Sequence, residues 1–275
     1  MTRQGKKNRK RYVWLVWVIC VCLMAGSALG EAAPDGEVSA GEALYQAAEE
    51  AYKAEDYEQA MACYQQAAEL GCADGWSGIA SLYYSGLGVE QSTEKALEYW
   101  RLGADQGSGR AFYGLGFLYG CGDGVEQSFE IAREYYQRAA DLGSPVAMTV
   151  LGNMCLYGEG GEQSYEQALA YYQQAADLGL DVGQYDVGLM YFNGWGVEQS
   201  LEKAMEYWLL AAEQDNTYAL NGLGYLYENG QGVEQSYEQA AGYYRRAADL
   251  GVAEAGEHLA QMIAEGLVQE PQAAE

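Results

Sequence analysis

The sequence predicts an all-α solenoid, a stack of helical hairpins, and three observations carry that expectation. Glu-Gln-Ser recurs at Glu90, Glu126, Glu162, Glu198 and Glu234, spaced by 36 residues each time. A unit of that length cannot bury its own apolar face and must share a core with its neighbours. Small and aromatic residues return inside each unit at helical spacing, and paired glycines return between the two helical stretches. A stack of this kind offers a long surface rather than a convergent pocket, so the same observations steer function toward binding.

Residues 1–30 read as a leader. Arg3, Lys6, Lys7, Arg9, Lys10 and Arg11 precede an apolar stretch from Val13 to Met24 and the small residues Ala25 to Gly30. Basic head, apolar middle and small-residue exit are the regions of a secretory signal peptide. Ala28 and Gly30 stand where signal peptidase requires small side chains, so cleavage after Gly30 is the preferred reading. The alternative is an uncleaved anchor over residues 12–30, with its basic end in the cytoplasm; this would be the chain's one membrane contact. Both readings place the repeats outside the cytoplasm, secreted or anchored. No lipobox ends at Cys20 or Cys22, which argues against a lipoprotein.

Residues 31–40, with Pro34, Asp35, Gly36 and Ser39, read as a linker. Residues 41–71 form a helical pair lacking the glycine loop. Five full units follow at 72–107, 108–143, 144–179, 180–215 and 216–251. Residues 252–266 close the stack as a capping helix ending before Gly266, and 267–275, with Pro271, are a frayed tail.

In each unit the second helix announces its start. Ser92, Ser128, Ser164, Ser200 and Ser236 stand at the N-cap, and Glu94, Glu130, Glu166, Glu202 and Glu238 place a carboxylate in the first turn. Ala96, Trp100, Gly103 and Ala104, then Ala132, Tyr136, Ala139 and Ala140, make one apolar face. Gly107, Gly143, Gly179 and Gly251 end these helices, and Asp215 breaks the series. The first helix carries Leu115, Gly116 and Tyr119, echoed by Leu223, Gly224 and Tyr227. Mid-helix glycine costs about 1 kcal/mol relative to alanine, so its return implies close backbone packing. Between the helices run Gly86-x-Gly88, Gly122-x-Gly124, Gly158-x-Gly160, Gly194-x-Gly196 and Gly230-x-Gly232, which imply backbone angles that glycine alone adopts cheaply.

Charge narrows the partners. Residues 31–275 carry nine Lys and Arg against 40 Asp and Glu, a net charge of −31. That excludes nucleic acid and anionic lipid, which require a basic face, and favours a basic partner if the field recruits one.

A unit such as Ala219 to Gly251, with Leu223, Gly224, Tyr227, Gly230, Gly232, Val233, Ser236, Ala240, Tyr243, Tyr244, Ala247 and Ala248, resembles a Sel1-like repeat, a relative of the tetratricopeptide repeat. The resemblance covers roughly residues 72–266, and 41–71 look more like a plain tetratricopeptide pair. It implies antiparallel helix pairs wound into a right-handed superhelix and an adaptor that assembles protein complexes. Two departures stand in the third unit. Cys155 replaces the first-helix tyrosine and Gly161 the valine after the loop, so looser packing is expected there.

The resemblance also implies that the first helix of each pair lines the concave side. Its non-core positions here hold Arg110, Tyr113, Phe117, Asn153, Tyr185, Leu189, Phe192, Tyr218, Asn221 and Tyr225. They vary while the frame does not, as a peptide-reading groove requires, although any one tyrosine could equally fill space between helices.

Catalysis finds little support. His258 is the single histidine, lies in the closing helix and has no nucleophile motif beside it, so a hydrolase is the remote alternative. Cys63, Cys72, Cys121 and Cys155 form no Cys-x-x-Cys pair, and the glycine loops lack a Walker lysine; no metal and no cofactor is expected. Cys63 and Cys72 stand too far apart along a helix to bridge, while Cys121 and Cys155, at near-equivalent places in adjacent units, leave pairing open. The leading expectation is therefore an exported, non-enzymatic scaffold holding a protein or peptide in its groove. The runner-up is a membrane-anchored regulatory or inhibitory subunit of an envelope enzyme.

Overall fold

Each 36-residue repeat folds as two antiparallel helices, because its apolar residues fall on one stripe of each. The computed structural model describes residues 39–269. The expected leader, residues 31–38 of the linker and residues 270–275 lie outside the described residues. These comprise thirteen helices and no strand: α1 (Ala40–Lys53), α2 (Tyr57–Glu69), α3 (Ala73–Ser85), α4 (Thr93–Asp105), α5 (Gly109–Cys121), α6 (Phe129–Asp141), α7 (Pro145–Tyr157), α8 (Tyr165–Asp177), α9 (Asp181–Asn193), α10 (Leu201–Glu213), α11 (Thr217–Asn229), α12 (Tyr237–Asp249) and α13 (Ala253–Ala264). Pro145 opens α7, where its missing N–H does no harm. Among the described residues no helix is long and apolar enough to cross a membrane.

The described residues divide into two compact units, with the boundary between Ala147 and Met148. In the first, Tyr45, Ala48, Ala60, Tyr64, Ile79 and Leu82 form one core and Ala80, Ala96, Trp100, Ala111, Leu115 and Leu118 the next. The second unit repeats the arrangement with Cys155, Leu156, Ala168, Tyr172, Val187 and Met190, then with Trp208, Leu220, Leu223, Tyr244 and Met262. Alanine at the crossing points lets the helices approach, and one large ring per second helix fills the space that remains. That ring explains the mid-helix glycines. A Cβ on Gly152 would stand 2.4 Å from the Tyr172 ring, and one on Gly224 would stand 2.6 Å from Tyr244.

The helix starts and stops are those the sequence announces. The Ser92 hydroxyl accepts from the Lys95 N–H at 3.2 Å, and Ser128, Ser164, Ser200 and Ser236 cap the later second helices in the same way. Gly107, Gly143, Gly179 and Gly251 have φ between +82° and +95°. Asp215 takes that left-handed place at φ +62°, and its carboxylate pairs with Arg246 at 2.7 Å, which offsets part of the strain.

The repeated glutamine has a purpose that spacing alone does not reveal. Gln199 Nε2 donates to the Phe192 carbonyl at 2.7 Å while the Ser200 N–H donates to the Tyr191 carbonyl at 3.0 Å. Gln91, Gln127, Gln163 and Gln235 do the same to the last turn of their own first helices. Glu-Gln-Ser thus ties the loop back to the helix it leaves, satisfying carbonyls that a helix end would otherwise expose. Replacing Gln199 with Ala is expected to cost about 1 kcal/mol. The check is a fall in melting temperature of roughly 2–4 °C by calorimetry.

The third full unit departs from its neighbours only locally. Val89, Val125 and Val233 pack on their cores after the loop, whereas exposed Gly161 contributes no side chain there. Cys155 is fully buried, with Sγ donating to Gln167 Oε1 at 3.7 Å. Cys63, Cys72 and Cys121 are free thiols. Burial, reinforced by the Asp123 charge, pushes the Cys121 thiol up to about 12, which keeps it unreactive at neutral pH.

Candidate functional site

In the first unit the first helices α1, α3 and α5 stand on one side, and α3 packs directly on α5. A cavity opens on this face. It is lined by Tyr45, Glu49 and Tyr52 of α1, by Ser77, Gly78, Ser81 and Tyr84 of α3, and by Arg110, Tyr113, Gly114 and Phe117 of α5. Tyr64 and Trp100 reach it from the second helices, through the gaps that Gly78 and Gly114 leave open.

Arg110 organises the charge there. Its guanidinium lies 3.6 Å from Glu49 and 3.6 Å from Asp74, and stacks over the Tyr45 ring at 5.2 Å. Burial opposes the Arg110 charge, but Tyr45, Glu49 and Asp74 outweigh it and hold its pKa above the ordinary value. Glu49 also accepts from the Tyr64 hydroxyl, and Asp74 from Ser108. Burial pushes the Tyr45 and Tyr64 phenols well up, so both remain neutral hydrogen-bond donors. Tyr84 and Phe117 meet edge to face at 5.6 Å, and the Tyr84 hydroxyl donates to Asp123 at 3.2 Å. This is a preorganised aromatic and acidic surface with its polar groups already oriented.

The second unit presents a corresponding face on α7, α9 and α11. Tyr185 stacks on Trp208 at 6.1 Å and lies 5.6 Å from Tyr218, while Phe192 contacts Trp208 at 5.3 Å and Tyr225 at 6.4 Å. Tyr218 and Tyr225 are 46% and 40% exposed. Asn153 is exposed and accepts from the Tyr172 hydroxyl at 2.8 Å. Leu189 is partly buried against the core. Asn221 Oδ1 is buried without a hydrogen-bond partner.

The ten positions expected in a groove thus divide into two clusters, Arg110, Tyr113 and Phe117 in the first unit and the other seven in the second. Phe117 is only 4% exposed and belongs as much to the core as to the cavity wall. Glu49, Tyr45 and Tyr64 were not among the expected residues. The first pair of helices lacks the glycine loop, which hides its alignment with the other units. Asp186 was also missed, since it stands where Gly78, Gly114 and Gly222 stand in other units. Burial, with a smaller contribution from the like charge of Asp181, pushes its carboxyl up to about 8.

His258 packs on the core ring of α12. Its ring stacks on Tyr244 at 4.9 Å, and Nδ1 lies 3.6 Å from Glu228, which accepts from the Tyr244 hydroxyl at 2.7 Å. The histidine seals the last buried ring.

The family described as Sel1 repeat matches residues 41–72, 77–108, 110–144, 145–180, 182–216 and 217–252. The match includes 41–72, the stretch whose missing glycine loop suggests a plain tetratricopeptide pair. No curated protein sequence matches the chain. Among solved structures, a Sel1 repeat protein from Oxalobacter formigenes is 26% identical, with a TM-score of 0.74 over 81% of this chain and 91% of its own. A protective antigen of uropathogenic Escherichia coli displaying an SLR fold is 29% identical, with a TM-score of 0.68 over 82% of this chain. The chain spans about half the length of that antigen, 49%. An immunity protein from Pseudomonas aeruginosa, 24% identical over 80% of this chain and 84% of its own with a TM-score of 0.55, shares the fold.

Proposed function

The chain belongs to the Sel1 repeat family, and from that premise we propose that it is a non-enzymatic adaptor whose first-helix faces hold a protein or peptide partner. One observation carries the reading. Arg110, Tyr113 and Phe117, which line the cavity of the first unit, give way to different side chains at the same places of the other repeats, whereas the second-helix capping serines and the loop glutamines are constant. Selection of a partner needs such variation on a rigid frame. Aromatic anchors supply most of the contact, and the net charge of −25 favours a partner with basic segments.

The adaptor acts outside the cytoplasm, released by cleavage after Gly30 or held by residues 12–30. The basic and apolar halves of that leader support export. If the leader is retained, the adaptor regulates an envelope enzyme at the membrane. Mass spectrometry of the amino terminus of the mature protein distinguishes the two.

Truncating Tyr113, Tyr218 and Tyr225 together to Ala is expected to abolish capture of the partner from the producing cell. Helical circular dichroism should stay unchanged, because the two most exposed of these rings contribute little to the core. Undiminished capture by the triple variant would overturn the first-helix assignment.

A further inference from the structure

In the first unit the aromatic and acidic face is filled by the chain's own guanidinium. Arg110 stacks on Tyr45 between Glu49 and Asp74. Three repeats later the second unit keeps much of the aromatic lining but neither the cation nor its two carboxylates: Val182 stands at the place of Asp74, α7 carries no Asp or Glu, and the acid present is Asp186. The repeat spacing pairs Tyr172 with Tyr64, Tyr185 with Ser77, Asp186 with Gly78, Phe192 with Tyr84 and Trp208 with Trp100. It likewise pairs Asn221 with Tyr113 and Tyr225 with Phe117. Tyr218 falls in the place of Arg110.

By the repeat spacing Asp186 and Asn221 stand at the places of Gly78 and Tyr113, which line the cavity of the first unit. A Cβ on Gly78 would meet the Tyr64 ring, so the Asp186 side chain departs toward Tyr172, whose phenol is raised first by burial and then by the Asp186 charge. Tyr185 shows the same influence.

Two acceptors in this face lack donors. No side chain among the described residues hydrogen-bonds or pairs with Asp186, and Asn221 Oδ1 is buried without a partner. Nor can the unit supply the missing charge from its first helices. Residues 148–275 hold Lys203, Arg245 and Arg246 and no other Lys or Arg. Lys203 lies over the Tyr191 ring at 4.8 Å and Arg246 pairs with Asp215, and all three belong to second helices.

We propose that the α9–α11 face is a subsite for an arginine side chain of the partner, with Asp186 and Asn221 accepting from the guanidinium and Tyr185 and Tyr218 stacking on it. A guanidinium offers five N–H donors in a plane that also stacks on rings, which matches a carboxylate, an amide oxygen and neighbouring tyrosines better than an ammonium does. The elevated affinity of Asp186 for its proton supports the assignment. A carboxyl whose proton is held by burial and a neighbouring like charge releases that proton when a cation comes to pair with it. The groups that bear on this proton are Asp181 on α9, Tyr172 on α8 and Tyr185 beside it.

The subsite deepens the adaptor reading and rests on it, and the test separates the two. N-acetyl-arginine methylamide is titrated at pH 7 into the full mature protein, with the citrulline analogue as the uncharged control, while backbone amide shifts are followed by NMR. Saturable shifts at Asp186, Tyr185 and Asn221 with the arginine probe alone are expected. Asp186→Asn should weaken the probe about tenfold, the scale of one charge-assisted contact. Tyr218→Arg, which returns the first unit's own cation, should abolish it. Equal affinity of the wild type and Asp186→Asn, or equal affinity for citrulline, overturns the subsite. If that happens while the Tyr113, Tyr218 and Tyr225 truncation still abolishes partner capture, the adaptor function stands without an arginine subsite.

Discussion

Gly75→Val is expected to destabilise the first unit by more than about 3 kcal/mol, enough to lower its melting temperature by roughly 10 °C. Gly75 begins the packing of α3 on α2, and a Cβ there would lie 2.7 Å from both the Tyr64 carbonyl oxygen and the Ala68 nitrogen. Both are backbone atoms of a helix, so neither can rotate aside, and the two helices must move apart. A repeat contacts only its neighbours, so the loss should be local in origin. Hydrogen exchange would show it as lost protection in α1 to α4, and unchanged protection there would contradict the packing argument. Gly242 provides the control. It is exposed on α12, and a Cβ added there would meet nothing within 4 Å, so Gly242→Ala should stabilise by roughly 0.5–1 kcal/mol through helix propensity alone.

Asp186→Asn is expected to make the protein more stable above neutral pH, by on the order of 2 kcal/mol at pH 8.5. The sign follows from the direction of the shift. Burial and the Asp181 charge raise the Asp186 carboxyl from an ordinary value of 3.8 to about 8 in the folded chain. The native state therefore holds a proton that the unfolded chain has already released, and stability falls as pH rises between those two values. Below about pH 4 both states are protonated and the penalty vanishes. Asparagine cannot ionise, so the variant should lose that part of the pH dependence. Melting temperatures at pH 5.5 and pH 8.5 check it. A wild-type and variant difference that does not grow between the two would show that Asp186 is well solvated.

These two sites also show how far the sequence could be read. Gly75 falls outside the Leu-Gly-x-x-Tyr echo of the first helices, and its place returns only as the small residues Ala111, Ala147, Gly183 and Ala219, a pattern that does not reveal the backbone of the preceding hairpin against which it lies. Asp186 is a single aspartate in a chain with 40 acidic residues, and composition cannot single it out. Only its alignment with Gly78, Gly114 and Gly222, together with the ring each of those glycines accommodates, reveals a carboxyl at a packing position. Tyr113, Tyr218 and Tyr225 were legible, since variation within a constant frame marks them. Phe117 was legible too, but as a lining residue, and its near-complete burial appears only when α3 and α4 close over it.

By itself the sequence determined the helical hairpins, their boundaries and their caps. Those depend on local contacts: a serine hydroxyl reaching an amide three residues on, a glycine adopting positive φ, an apolar stripe returning every three or four residues. The tertiary structure alone decided which side chains meet across hairpins. Arg110 finds Glu49 and Asp74 from two other helices, whereas Asp186 finds no cation among the described residues. Such pairings depend on distances between residues far apart in the chain, and a linear spacing carries no record of them.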